Sequence, residues 1–62
     1  MIPEDTYKRA YAEGAECGKL RDRGTPAELY EEVRRSLHDE EMSDAARFWN
    51  LAFAAGYADE WK

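Results

Sequence analysis

Few side chains in this sequence are of a type that does chemistry. His38 stands among Asp39, Glu40, Glu41 and Asp44, the one stretch where a metal site or an acid–base pair could be sought. Adjacent residues on a helix do not face one another, and a zinc site needs several nitrogen or sulfur ligands. His38 is the only histidine and Cys17 the only cysteine. The stretch therefore reads as a solvated charge cluster at a helix end. Cys17 can form no internal disulfide, and a lone thiol of this kind reads as a small buried side chain. Ser36 and Ser43 have no evident base. Gly14, Gly18 and Gly24 are spaced too widely for a phosphate loop and follow no strand. No catalytic residue, metal ligand or cofactor is assigned, and an enzyme is not expected.

What remains is recognition without covalent chemistry. Trp49, Phe53 and either Gly56 or Tyr57 follow one line of a helical pattern, and Trp61 lies near the end of the chain on a different side. Tyrosine and tryptophan are frequent anchors of protein interfaces because they bury a large area and carry a polar tip. The same residues could instead fill a core that is short of aliphatic side chains. Trp49, Phe53, Tyr57 and Trp61 form the candidate partner-binding set. Trp49 and Phe53 are the two most readily accounted for as core, whereas Tyr57 and Trp61 have little chain left to cover them. On that reading Tyr57→Ala and Trp61→Ala weaken association and leave helicity largely intact.

Three helices are needed to position them. The first is expected over residues 3–23, with Pro3 at its first position and Glu4 and Asp5 at the positive end of the helix dipole. Tyr7, Tyr11, Gly14 and Gly18 share one face, and Gly24 is a stop signal. The second is expected over 26–39. Thr25 can cap it, Pro26 takes the first helical position and Glu28 can close a capping box. Leu29, Val33 and Leu37 make its apolar stripe, opposite Glu31, Glu32, Arg34 and Arg35.

The third helix, expected over 44–61 with Ser43 as its cap, is apolar around nearly its whole circumference. A helix facing a single core needs a stripe of only about 100°. This one must be central or packed on two sides, with a surface left over that two other helices cannot cover. There is also an internal echo: Ala10-Tyr11-Ala12-Glu13-Gly14 and Ala52-Phe53-Ala54-Ala55-Gly56 both read Ala-aromatic-Ala-x-Gly. Glycine within a helix costs about 1 kcal/mol relative to alanine. Close backbone approach between the first and third helices is a physical reason to keep it.

Composition sets the outer bounds. A chain of 62 residues supports one domain, 1–62, and domains of this size bury only about 60% of the surface of the unfolded chain. The expected fold is all-α, a small three-helix bundle, with a homodimer through the third helix as the first assembly to look for. The net charge of −5 disfavours sequence-independent binding to DNA, RNA or anionic membranes, whose phosphates are held by lysine and arginine. Met1-Ile-Pro-Glu-Asp lacks the basic and apolar segments of a secretory signal, so a cytoplasmic setting is expected. Frequent alanine, with arginine preferred to lysine, hints at a GC-rich bacterial or phage genome.

One family resemblance rests on the spaced small residues. Ala10-x-x-x-Gly14-x-x-x-Gly18 followed by Trp49-Asn50-Leu51-Ala52-Phe53 resembles the two helices of small proteins related to bacterial ribosome modulation factor. There the second helix carries Trp-x-x-Gly-aromatic, with alanine here in place of the glycine. The resemblance spans about half of the chain and implies a ribosome-associated regulator. That family is strongly basic and this chain is acidic; the turn marked there by Pro-Tyr is represented only by Pro26 and the displaced Tyr30, and the second helix would be an insertion. The leading expectation is accordingly a cytoplasmic adaptor or inhibitor, phage-encoded or bacterial, that binds a protein or itself. A ribosome-associated regulator comes second. An acidic mimic of nucleic acid, presenting Glu31, Glu32, Asp39, Glu40 and Glu41 to a basic groove, comes third.

Overall fold

Helix boundaries follow local capping chemistry at most ends. The computed structural model describes residues 4–61 and consists of α1 (Glu4–Leu20), α2 (Pro26–Ser36) and α3 (Asp44–Glu60), an all-α fold. The expected start at Pro3 lies outside the described residues. At α2 the capping box is complete: Thr25 Oγ1 accepts from the Glu28 amide at 3.2 Å, and the Thr25 amide donates back to Glu28 Oε1 at 3.3 Å. At α3 the Ser43 hydroxyl accepts from the Ala46 amide at 3.1 Å. Each cap satisfies a donor that the helix itself leaves unpaired.

Two ends fall short of the expected positions. α1 stops at Leu20 and not at residue 23, because Arg21 takes a left-handed backbone conformation with φ 54°. A non-glycine residue held there costs about 1–2 kcal/mol. The Arg21 guanidinium lies 4.5 Å above the Trp61 ring, a cation–π contact that partly offsets that cost. Gly24, with φ 77°, adopts its own positive φ in the connection ahead of the α2 cap. α2 ends at Ser36, three residues before the expected 39, and residues 37–42 form successive turns. The Ser36 hydroxyl donates to the Val33 carbonyl at 2.7 Å, an oxygen that also accepts from the Leu37 amide at 3.1 Å.

α3 is the central element. Both α1 and α2 pack against it, and the backbones of α1 and α2 do not approach each other. The three helices therefore lie side by side in a slab measuring 30 × 25 × 13 Å between Cα extremes. Along α1 the small residues Ala10, Gly14 and Gly18 are buried, as are Ala52 and Gly56 on α3. A Cβ on Gly14 would overlap the carbonyl of Phe53, and one on Gly56 would overlap the carbonyl of Tyr11. A Cβ on Gly18 would stand 2.7 Å from the Tyr57 carbonyl oxygen. Backbone meets backbone along this seam, so the internal echo between the two helices marks a packing device. Residue numbers rise together on α1 and α3 along the seam, which makes these two helices parallel. Tyr7 flanks the seam, packed on Tyr11 and Phe48 with ring centroids 6.0 and 5.9 Å away.

The other flank of α3 is built differently. Leu29 and Val33 of α2 form a small apolar core with Ala54 and Tyr57, joined by half-buried Cys17, Phe53 and Trp61. Burial pushes the Cys17 thiol above its ordinary pKa, with the nearby Asp22 charge adding to the effect. Cys17 therefore holds less thiolate than a free cysteine and packs as an apolar side chain. As its all-round apolarity foretold, α3 keeps uncovered surface, including Leu51 at 44% exposure. Among the described residues no helix is long and apolar enough to cross a membrane.

Candidate binding groove

Between α2 and α3 runs an open groove of about 280 Å³. Leu29 and Val33 from α2 and Trp49 and Phe53 from α3 provide its apolar surface, with Arg23, Glu32, Ser36 and Asn50 around them. The residues come together because α2 packs on α3 through the row Leu29–Val33, while the large aromatics of α3 at 49 and 53 lean over the same furrow. Its volume lies at or just below the lower end of ordinary small-molecule sites, about 300–1,000 Å³, and suits one or two protein side chains.

The groove's polar groups are few. The Ser36 hydroxyl is engaged with the Val33 carbonyl. Asn50 Nδ2 points to the thioether of Met42 at 3.6 Å, a weak acceptor, which leaves its amide with hydrogen-bonding capacity to spare. The Arg23 guanidinium lies 5.6 Å from the Phe53 ring centroid. Neither Arg23 nor Glu32 forms a salt bridge among the described residues, although Glu31, one position away, is paired with both Arg34 and Arg35.

The four aromatics singled out from sequence separate into two pairs. Trp49 and Phe53 are half-buried and line the groove. Tyr57 does not belong with them: it is completely buried, the largest fully enclosed side chain among the described residues. Its hydroxyl donates to the Gly24 carbonyl and accepts from the Arg23 amide at 3.1 Å. The expectation that too little chain remains to cover Tyr57 is corrected by the connection between α1 and α2, which folds back over it. Trp61 stacks on Tyr57 with centroids 5.7 Å apart and is itself overlaid by Arg21. It is half-buried, and its ring serves as a lid on the Tyr57 end of the core.

Sequence reasoning missed Arg23, Glu32 and Asn50 as groove residues. Asn50 carried a signal, since it interrupts the apolar run of α3. Arg23 and Glu32 carried none, because each reads as an ordinary surface charge until the packing angle of α2 is known. The acidic stretch after α2 has local work. Asp39 Oδ1 accepts from the Glu41 amide at 3.0 Å, and the Asp39 carbonyl accepts from Arg47 at 2.8 Å. Asp44 pairs with the same arginine at 3.2 Å. Among the described residues no group of three or more histidine, cysteine or acidic side chains is placed to hold a metal ion. Compared with known protein families, curated proteins and solved structures, the chain matches none of them.

Proposed function

We propose that this protein is a small, non-catalytic protein-binding module, an adaptor or inhibitor working in the cytoplasm, that receives its partner in the groove between α2 and α3. One observation carries the reading. Trp49 and Phe53 are only half-buried over an apolar furrow, although the core has so few large side chains that full burial of both would stabilise it. Each buried large apolar side chain contributes about 1.5–3 kcal/mol, so leaving two of them partly in water forgoes stability that binding can recover. Arg23, Glu32, Ser36 and Asn50 supply a polar rim of the kind that gives an interface register.

The test is affinity capture in moderate salt from bacterial cells that also make an untagged copy of the chain. The tagged protein is expected to retain one protein in comparable amount, and the Trp49→Ala bait, folded by circular dichroism, is expected to lose it. Identical recovery on the two baits, or recovery of nothing by either, would remove the groove as a binding site.

A further inference from the structure

The occupant of this groove can be named from its shape and charge, on the reading that the groove binds protein. We infer that it receives a second copy of this chain, in a two-fold dimer whose axis lies across the groove. Charge is the first argument. The rim carries one cation and one anion, Arg23 and Glu32, both without a salt-bridge partner among the described residues. In a two-fold interface, if residue i meets residue j then j also meets i. An axis across the groove reverses its direction in the partner, so Arg23 of each copy meets Glu32 of the other. Between the two reciprocal pairs, the half-buried rings of Phe53 and Trp49 come together and lose their remaining water.

The overall balance of charge points the same way. Each copy carries −5, so two copies repel over most of their surfaces. Self-association needs a face on which both signs occur around an apolar centre, and the groove rim is such a face.

Area is the second argument. Because the three helices lie side by side, the furrow between α2 and α3 opens on a broad side of the slab. That side spans at most 30 × 25 Å between Cα extremes, so a contact has to use most of it to approach the ~800 Å² that a stable interface buries on each partner. A second slab of equal dimensions covers the whole face. It also supplies the second layer that helical domains ordinarily possess, since a single row of helices leaves α3 covered only on its flanks.

The experiment is a charge-reversal mixing test on the full chain, read by sedimentation equilibrium over a range of concentrations. The wild type is expected to be a dimer. Arg23→Glu alone sets two carboxylates against each other across the interface, and Glu32→Arg alone sets two guanidinium groups against each other. Each reversal is expected to weaken self-association by at least about tenfold, since like charges set against each other are strongly disfavoured. In an equimolar mixture the two variants form a heterodimer. One of its reciprocal pairs then joins two introduced charges of opposite sign, and the other joins the native Arg23 to the native Glu32. Dimer mass is expected to return. Both substitutions are at exposed positions, and helicity by circular dichroism checks that each variant folds. A wild type that stays monomeric at millimolar concentration overturns the proposal. So does a mixture that associates no better than its components, or single reversals that dimerise as well as the wild type. A monomeric wild type that still captures a different protein through Trp49 would sink the second copy as occupant while leaving the groove's binding role intact.

Discussion

The two flanks of α3 solve the same packing problem by opposite means. Toward α1, the seam is made of Ala10, Gly14, Gly18, Ala52 and Gly56, and the helices approach until backbone touches backbone. Toward α2, the contact is made by side chains: Leu29 and Val33 reach over Ala54 and Tyr57, and an open groove remains beside them. The closed seam has no room for a ligand or even a methyl group. The side-chain contact holds α2 farther out and leaves aromatic surface accessible. Close fit lies on one side of the helix and open surface on the other, and substitutions on the two sides should behave differently.

Among substitutions that add or remove a single group, the largest effect is expected at the seam. Gly14→Ala or Gly56→Ala places a methyl group into a backbone carbonyl that belongs to the neighbouring helix and cannot rotate away. Overpacking a close-fitted interior typically costs about 1–3 kcal/mol, and a backbone obstacle lies at the upper end. The better helix propensity of alanine returns only about 1 kcal/mol. A net loss of roughly 2 kcal/mol or more is expected in urea denaturation followed by circular dichroism, much of the stability a domain this small possesses. A variant as stable as the wild type would mean that the seam is looser than described.

Next comes the phenol that ties the two flanks together. Tyr57→Phe keeps the ring and removes the hydroxyl, leaving the Arg23 amide and the Gly24 carbonyl without their partner. A lost bond that strands a partly buried group costs about 1–2 kcal/mol. Tyr57→Ala removes the largest enclosed side chain, and by analogy with other large core aromatics costs about 3–5 kcal/mol, enough to unfold the domain. Thermal denaturation should rank the wild type above the phenylalanine variant and that variant above the alanine one. Loss of association with unchanged stability in Tyr57→Ala would instead return this residue to the interface.

The capping box is expected to matter less, since it holds the start of α2 and touches neither flank of α3. Thr25→Ala removes the acceptor for the Glu28 amide and should cost about 1 kcal/mol. Hydrogen exchange of the first α2 amides should quicken while the α1–α3 seam is unaffected. Equal quickening in both places would show that α2 and the seam unfold as one unit.

How legible these regions were in the sequence follows from the range of the interactions that build them. Caps are local, so Thr25, Pro26, Glu28 and Ser43 could be read directly. The seam is not local, but glycine in a helix is costly enough that Gly14, Gly18 and Gly56 pointed to it, and the all-round apolarity of α3 marked that helix as central or packed on two sides. Tyr57 could not be read correctly, because its burial depends on residues 21–25 folding back to present an amide and a carbonyl to its hydroxyl. The early end of α1 at Arg21 escaped for a related reason: its backbone conformation is compensated by Trp61, at the far end of the chain. The groove rim was the least legible part, since Arg23 and Glu32 differ from other surface charges only in what lies beside them.

The smallest expected effect distinguishes the two flanks by pH. The contacts between Ala10, Gly14, Ala52 and Gly56 contain no titratable group, so acid should not act on them directly. On α2, Arg34 donates to Glu31 at 2.7 and 2.8 Å, and this bond holds the Glu31 carboxyl below its ordinary pKa. A carboxyl depressed in the folded state contributes stability that is fully present above the ordinary glutamate value, about 4.3. That contribution is lost as pH falls through the lower folded value. The pair is exposed, so its contribution is small and screened by salt. The thermal midpoint of Glu31→Gln should lie slightly below that of the wild type at pH 7 in low salt, and the difference should vanish as pH falls below the glutamate range. If the two midpoints fall together over that range with their separation unchanged, the stability lost in acid comes from other carboxylates, and the Glu31–Arg34 pair contributes nothing to the stability of α2.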